Sequence, residues 1–278
     1  MLGRRAVVPV PEHPAEVRRV AKAAFVRDRR DRLVRRLEKM PRERQPDIEK
    51  GRLRRGAERR AEVPFELAFA VAQEGDESRF LRYADLDELE APANSQLEFL
   101  AFCGVLGLGY LAARGQKQHL STLRTFSRDA RWRIREAVAL GLQRYGEEDM
   151  LGLIELMESW IEGNHYERRA AVAALCEPGL LREPKWAQRI FDILDRITGS
   201  IVEEVNRKAD DFKVLRKGLG YGWSVAVAAQ PGIGKGVMEK WIGSDDKDVR
   251  WIMKQNLKKK RLIRMDEDWA AAQLERLG

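Results

Sequence analysis

WRIREAVALGL (residues 132–142) and YERRAAVAALC (residues 166–176) are two copies of one pattern, 34 residues apart. Aromatic aligns with aromatic, Arg135 with Arg169, and Ala137, Val138 and Ala139 with Ala171, Val172 and Ala173. FKVLRKGLGYGWSVAVAA (212–229) holds Arg216 and DVRWIMKQNLKK (248–259) holds Arg250, again 34 apart. Arg169 and Arg216 stand 47 apart, which leaves room for an insertion around residues 198–211. Apolar residues recur in each stretch at helical spacing. Between them lie partner helices of similar size at 150–161, 184–197, 236–242 and 266–277. Helix–turn–helix units of this length cannot bury their faces alone and must stack on their neighbours.

In RDARWRIREAVALGL an Asp precedes an Arg by six residues and an apolar residue precedes that Arg: Asp129, Ile134 and Arg135. Asp210, Leu215 and Arg216 repeat the spacing, whereas at Arg169 the acidic place is Gly163 and at Arg250 it is Ser244. This pattern resembles the second helix of a HEAT repeat. Four such units cover roughly 117–278, and 65–113 would supply a degenerate unit or cap. The resemblance implies an all-α, right-handed α-α superhelix of HEAT/armadillo type, and it leaves function open.

Composition agrees with helices that each keep a wet face. Of 278 residues, 44% are apolar and 35% charged, and no β-pattern interrupts the body. The net charge of +8 is unevenly spread. Residues 1–60 hold 20 Lys/Arg against 9 Asp/Glu, and residues 61–278 hold 32 against 35. The charge pattern divides the chain into a basic, partly helical arm (1–62) and a repeat domain (63–278). In the arm, Val17, Val20, Ala24, Leu33, Val34 and Leu37 fall near helical spacing among arginines, until Pro41 and Pro46 interrupt. Dense Arg with few aromatics suits contact with a nucleic-acid backbone rather than base reading. The most apolar run, FLAFCGVLGLGYLAA (99–113), is 15 residues, below the roughly 20 of a membrane span. It reads as a central buried helix. Cys103 and Cys176 read as buried free thiols of a reducing, cytoplasmic protein. Their distance from His13, His119 and His165 gives no metal site.

AAQPGIGKGV (228–237) looks like a phosphate-binding loop, Gly-x-x-x-x-Gly-Lys-Ser/Thr after a strand. Ala229 stands where the first Gly belongs, Gly236 where the hydroxyl belongs, and the preceding segment is helical. It reads instead as a break between helices, with Pro231 and Gly232 ending one and Gly236 opening the next. No cofactor is expected.

One Arg per stacked unit makes a ladder: Arg135, Arg169, Arg216 and Arg250. Such a row could follow phosphates, or each Arg could bond an Asp of its own or a neighbouring unit. EKWIGSDDKDVRWIMKQNL (239–257) is similar to a stretch in the HEAT-like alkylpurine DNA glycosylases, the AlkD family. The match implies that Trp241, Ile242, Ser244, Asp245 and Arg250 occupy corresponding places, with Arg250 in the DNA cleft. The family's catalytic carboxylate lies in a Trp-Trp-Asp-x-x-Asp-like stretch one unit earlier, which this chain lacks. Trp223 is there, and Asp210 and Asp211 are the nearest acids. Trp241 and Trp251 could serve such a cleft or the core. LKKKRLIR (257–264), with Lys258, Lys259, Lys260 and Arg261, adds five cations in eight residues. The leading expectation is a non-catalytic repeat protein that serves as a binding or scaffold protein, with a nucleic acid, held by its phosphates through the basic residues, or a protein surface on its concave face. The alternatives are a glycosylase of alkylation repair and a scaffold for an acidic protein partner.

Overall fold

The computed structural model describes residues 65–278, so the expected basic helical arm lies outside the described residues. Among the described residues the regular structure is entirely helical. The α-helices are α1 (Phe65–Glu74), α2 (Glu77–Ala84), α3 (Gln96–Ala113), α4 (His119–Phe126), α5 (Trp132–Glu148), α6 (Met150–Trp160) and α7 (His165–Leu175). They continue as α8 (Ala187–Glu203), α9 (Asp210–Ala229), α10 (Pro231–Ile242), α11 (Lys247–Leu257), α12 (Lys260–Met265) and α13 (Glu267–Arg276). Short 3₁₀ turns at Leu180–Arg182 and Pro184–Trp186 lead into α8.

Local chemistry explains many of the boundaries. Ser95 opens α3 by accepting the Glu98 N–H at 3.1 Å, and Asp149 opens α6 by accepting that of Gly152 at 2.9 Å. Asn164 and Glu167 form a reciprocal capping box on α7. Asp246 and Asp266 cap α11 and α13. Pro231 occupies the first position of α10, where its missing N–H costs nothing and its φ is already helical. The expected boundary is therefore corrected: Pro231 starts α10 rather than ending α9, and Gly232, Gly234 and Gly236 lie inside that helix. The expected insertion at 198–211 also shrinks. Residues 198–203 continue α8, because Thr198 and Ile201 face the core, and only 204–209 separate α8 from α9.

The helices pack in two rows. In the second-helix row α3 lies on α5, α5 on α7, α7 on α9 and α9 on α11. In the first-helix row α6 lies on α8, α8 on α10 and α10 on α13. The stretches that share the repeated pattern thus sit side by side. Between the rows run Ile134, Val138, Leu142, Leu153, Met157, Trp160, Phe191, Leu194, Phe212, Leu215, Trp223, Ile252 and Met253, all buried. Each large side chain so buried contributes about 1.5–3 kcal/mol. Trp223 is a core residue: it packs against Phe191 with ring centroids 6.1 Å apart and donates to Thr198 Oγ1 at 3.1 Å. Helix α3 is the one described helix long and apolar enough to cross a membrane, and it is mostly buried under its neighbours. Cys103 and Cys176 are buried as free thiols; burial pushes both upward, Cys176 to about 12.

Candidate nucleic-acid interface

The four repeated arginines all serve the stack. Arg135, 8% exposed, donates through Nη1 to the carbonyl of Asp129 and, at 2.8 Å, to that of Ala130. Its guanidinium lies 4.9 Å from the Tyr166 ring, and burial holds it below its ordinary value. The Asp129 carboxylate does not take Arg135 as the spacing suggested. It accepts the Arg131 backbone N–H at 2.8 Å and the Arg131 side chain at 2.9 and 2.7 Å. A two-residue turn brings Arg131 to that carboxylate first, and Arg135 reaches only the loop carbonyls. Arg169 donates to the Arg135 carbonyl at 3.2 Å, joining α7 to α5. Burial, then repulsion from Arg135, lowers the Arg169 guanidinium, and Glu136 opposes them.

Arg216 pairs with Asp248 of α11, in the neighbouring unit, and lies 4.2 Å over the Trp251 ring. Asp210, at the family spacing, pairs instead with Lys213 at 2.8 Å. Arg250 donates to the carbonyl of Leu277. Arg216 and Arg250 thereby lock α9 and the C-terminal turn to α11.

The residues of the glycosylase-like stretch do not converge. Trp241 stands in the first-helix row, where its Nε1 donates to Asp195 at 2.8 Å and Lys240 reaches the same carboxylate at 2.8 Å. It borders an open groove of about 420 Å³ with Ile161, Arg168, Ile197 and Gly199. Trp251 stands in the second row. Asp248, beside it, is 4% exposed and neutralised by Arg207 at 3.0 Å and by Arg216. Asp211 lies 3.2 Å from His165 Nδ1. Among the described residues no group of three or more His, Cys, Asp or Glu is placed to hold a metal ion.

A different concentration of charge lies where α11 and α12 pack on α9. Residues 247–264, which span α11 and α12, hold eight Lys/Arg and one acid, the buried Asp248. Lys258 and Lys260 are exposed, and so is Lys217 on α9, the helix on which α11 and α12 pack. Tyr221, one turn after Lys217, is 49% exposed. Arg261 lies 4.6 Å from its ring centroid and donates to its hydroxyl at 2.5 Å, while Lys259 lies 5.7 Å over the same ring. Since residues 61–278 carry slightly more acids than bases, this concentration of cations is local. Sequence reasoning found the Lys258–Arg261 run but missed Tyr221. The Lys217-x-x-x-Tyr221 spacing, which places both on one helical stripe, was the available signal.

No family model, curated protein or solved structure matches the chain.

Proposed function

We propose that the chain is a non-catalytic repeat protein that binds nucleic-acid phosphates, and that its helices wind as the right-handed superhelix of the HEAT/armadillo kind. The binding surface would be α9 and α11 of the second-helix row together with α12, which packs on α9. One observation carries this reading. The eight cations of 247–264 face a single acid that is itself buried and neutralised. Its field is therefore uncompensated within the segment, and a polyanion is its complement. Arg216 and Arg250 support the surface by holding α11, which leads into Lys258 and Lys260, to α9 and to the C-terminal turn.

The test is a titration of the full chain with labelled DNA and RNA over a series of salt concentrations, read by fluorescence anisotropy. Log affinity should fall linearly with log salt, losing roughly 0.7–0.9 per phosphate neutralised. A Lys258→Glu/Lys260→Glu variant should bind more weakly and with a shallower slope. It also separates this patch from the basic residues 1–60. Absence of binding at low salt, or affinity indifferent to salt, overturns the reading. An unchanged slope in the variant removes the surface from it. Binding of a polyglutamate chain in preference to both nucleic acids would favour the acidic-protein scaffold instead.

A further inference from the structure

The cations of this surface are interleaved with aromatic rings, and that arrangement carries a further step, which rests on the nucleic-acid reading above. We infer that the preferred ligand is single-stranded, with bases stacking on Tyr221 and Trp251 while the surrounding lysines follow the phosphates.

Tyr221 is a large ring held half in solvent at the centre of a cationic cluster. Its orientation is set by the hydrogen bond from Arg261 to its hydroxyl, 2.5 Å, and by the Arg261 guanidinium 4.6 Å from the ring centroid. An isolated exposed aromatic needs no explanation. One fixed in place by two cations is a different object: a preorganised flat surface in a field that draws polyanions. Trp251 adds a second ring on the adjacent helix. It is partly exposed, lies 4.2 Å from the Arg216 guanidinium, and packs on Gly220, the residue before Tyr221. Any side chain at 220 would intrude there, because a Cβ would come within 3.1 Å of the Trp251 ring. The two rings thus occupy neighbouring second-row helices whose axes pack about 8–10 Å apart.

A duplex keeps its bases stacked inside and offers this surface only phosphates, which would leave both rings unused. A single strand offers phosphates and base faces together, and each stacked base contributes substantially whatever its identity. The chemistry therefore selects for strandedness rather than for sequence. Lys217, one turn before Tyr221, and Lys258 and Lys260, on either side of Lys259 in the chain, are exposed and supply point charges without the fork geometry that reads base edges.

The experiment uses the full chain and compares a labelled single strand of about 16 nucleotides with the duplex of the same sequence at low salt. The single strand should bind about ten-fold tighter. Tyr221→Ala should weaken single-strand binding by about ten-fold and leave duplex binding within about two-fold, while Tyr221→Phe keeps the ring and most of the affinity. Tyr221 is half exposed, so the thermal melt of both variants should match the parent, which keeps a folding defect from imitating the result. Equal or tighter duplex binding, or a Tyr221→Ala variant that weakens both forms alike or neither, overturns the single-strand inference and leaves the phosphate reading standing. Failure of both forms to bind sinks the phosphate reading itself.

Discussion

Glu136 carries a carboxylate oxygen, Oε2, that is buried without a hydrogen-bond partner. It stands on α5 near the charges of Arg169 and Arg133, yet burial outweighs them and raises its carboxyl above the ordinary glutamate value. Folding therefore favours its protonated form, so its contribution is most favourable below the unfolded value and is lost as pH rises through the raised folded value. Glu136→Gln removes the ionisable oxygen and keeps the shape. At neutral pH the variant should be as stable as the parent or more so. As pH falls toward the usual glutamate range the parent should gain on it, which paired thermal melts across pH will show. A difference independent of pH would mean that Glu136 is solvated in the fold. Glu167 goes the other way: burial would raise it, but Arg124, Arg128 and the Asn164 N–H together hold its carboxyl below the ordinary value. The positions of the repeated arginines could be read from the chain, and so could the kind of partner Arg216 takes, an Asp of the neighbouring unit, but not the partners of the other three. Arg135, Arg169 and Arg250 end on backbone carbonyls, which leave no trace in residue identity.

Glycine separates the elements into those that need it and those that only tolerate it. At the α3–α5 crossing Gly109 meets Gly141 backbone to backbone, and a Cβ on Gly109 would fall 2.2 Å from the Gly141 Cα. Gly109→Ala must push two helices apart and should cost about 3 kcal/mol or more. In α10 the three glycines of PGIGKG differ among themselves. A Cβ on Gly234 would meet Phe191 at 2.6 Å and the Val227 backbone at 2.9 Å, whereas Gly232 and Gly236 have nothing within 4 Å. Gly234→Ala should therefore destabilise, while Gly232→Ala and Gly236→Ala should each stabilise by about 0.5–1 kcal/mol, the ordinary helix gain. Denaturant melts of the three variants check the order. Equal effects would mean that α10 does not pack against α8 and α9 through Gly234. The same stretch shows where reading the sequence ran out. That it was no phosphate loop followed from two missing residues. That Pro231 opened a helix did not, because a proline beside glycines fits a terminator and a first turn equally well until the packing of Gly234 decides. The starts of α7 and α11 rest on the caps Asn164, Glu167 and Asp246, side chains that the repeat spacing passes over.

Across the described chain each second-row helix packs on the one before and the one after, so stability should be passed between neighbours rather than shared by one centre. Asn256 offers a way to measure this. It is wholly buried between α9 and α11, its Nδ2 donates to the carbonyls of Leu219 at 2.9 Å and Ile252 at 2.8 Å, and its Oδ1 accepts the Ser224 N–H at 2.8 Å. Asn256→Ala leaves the Ser224 N–H and the Leu219 carbonyl without that partner in a buried seam, a loss of about 3 kcal/mol. A protein held by one cooperative core would lose amide protection everywhere. A stack should lose it where the seam is broken. Hydrogen exchange followed by mass spectrometry should thus show faster exchange in α9 and in α11–α13, with α3 and α5 protected as in the parent. The 34-residue repeat makes this expectation readable from the chain, while the rows that give it force appear only once α3, α5, α7, α9 and α11 are seen to lie in order. Uniform loss of protection in α3 and α11 alike would show that the repeats are periodic in sequence but fold as one unit.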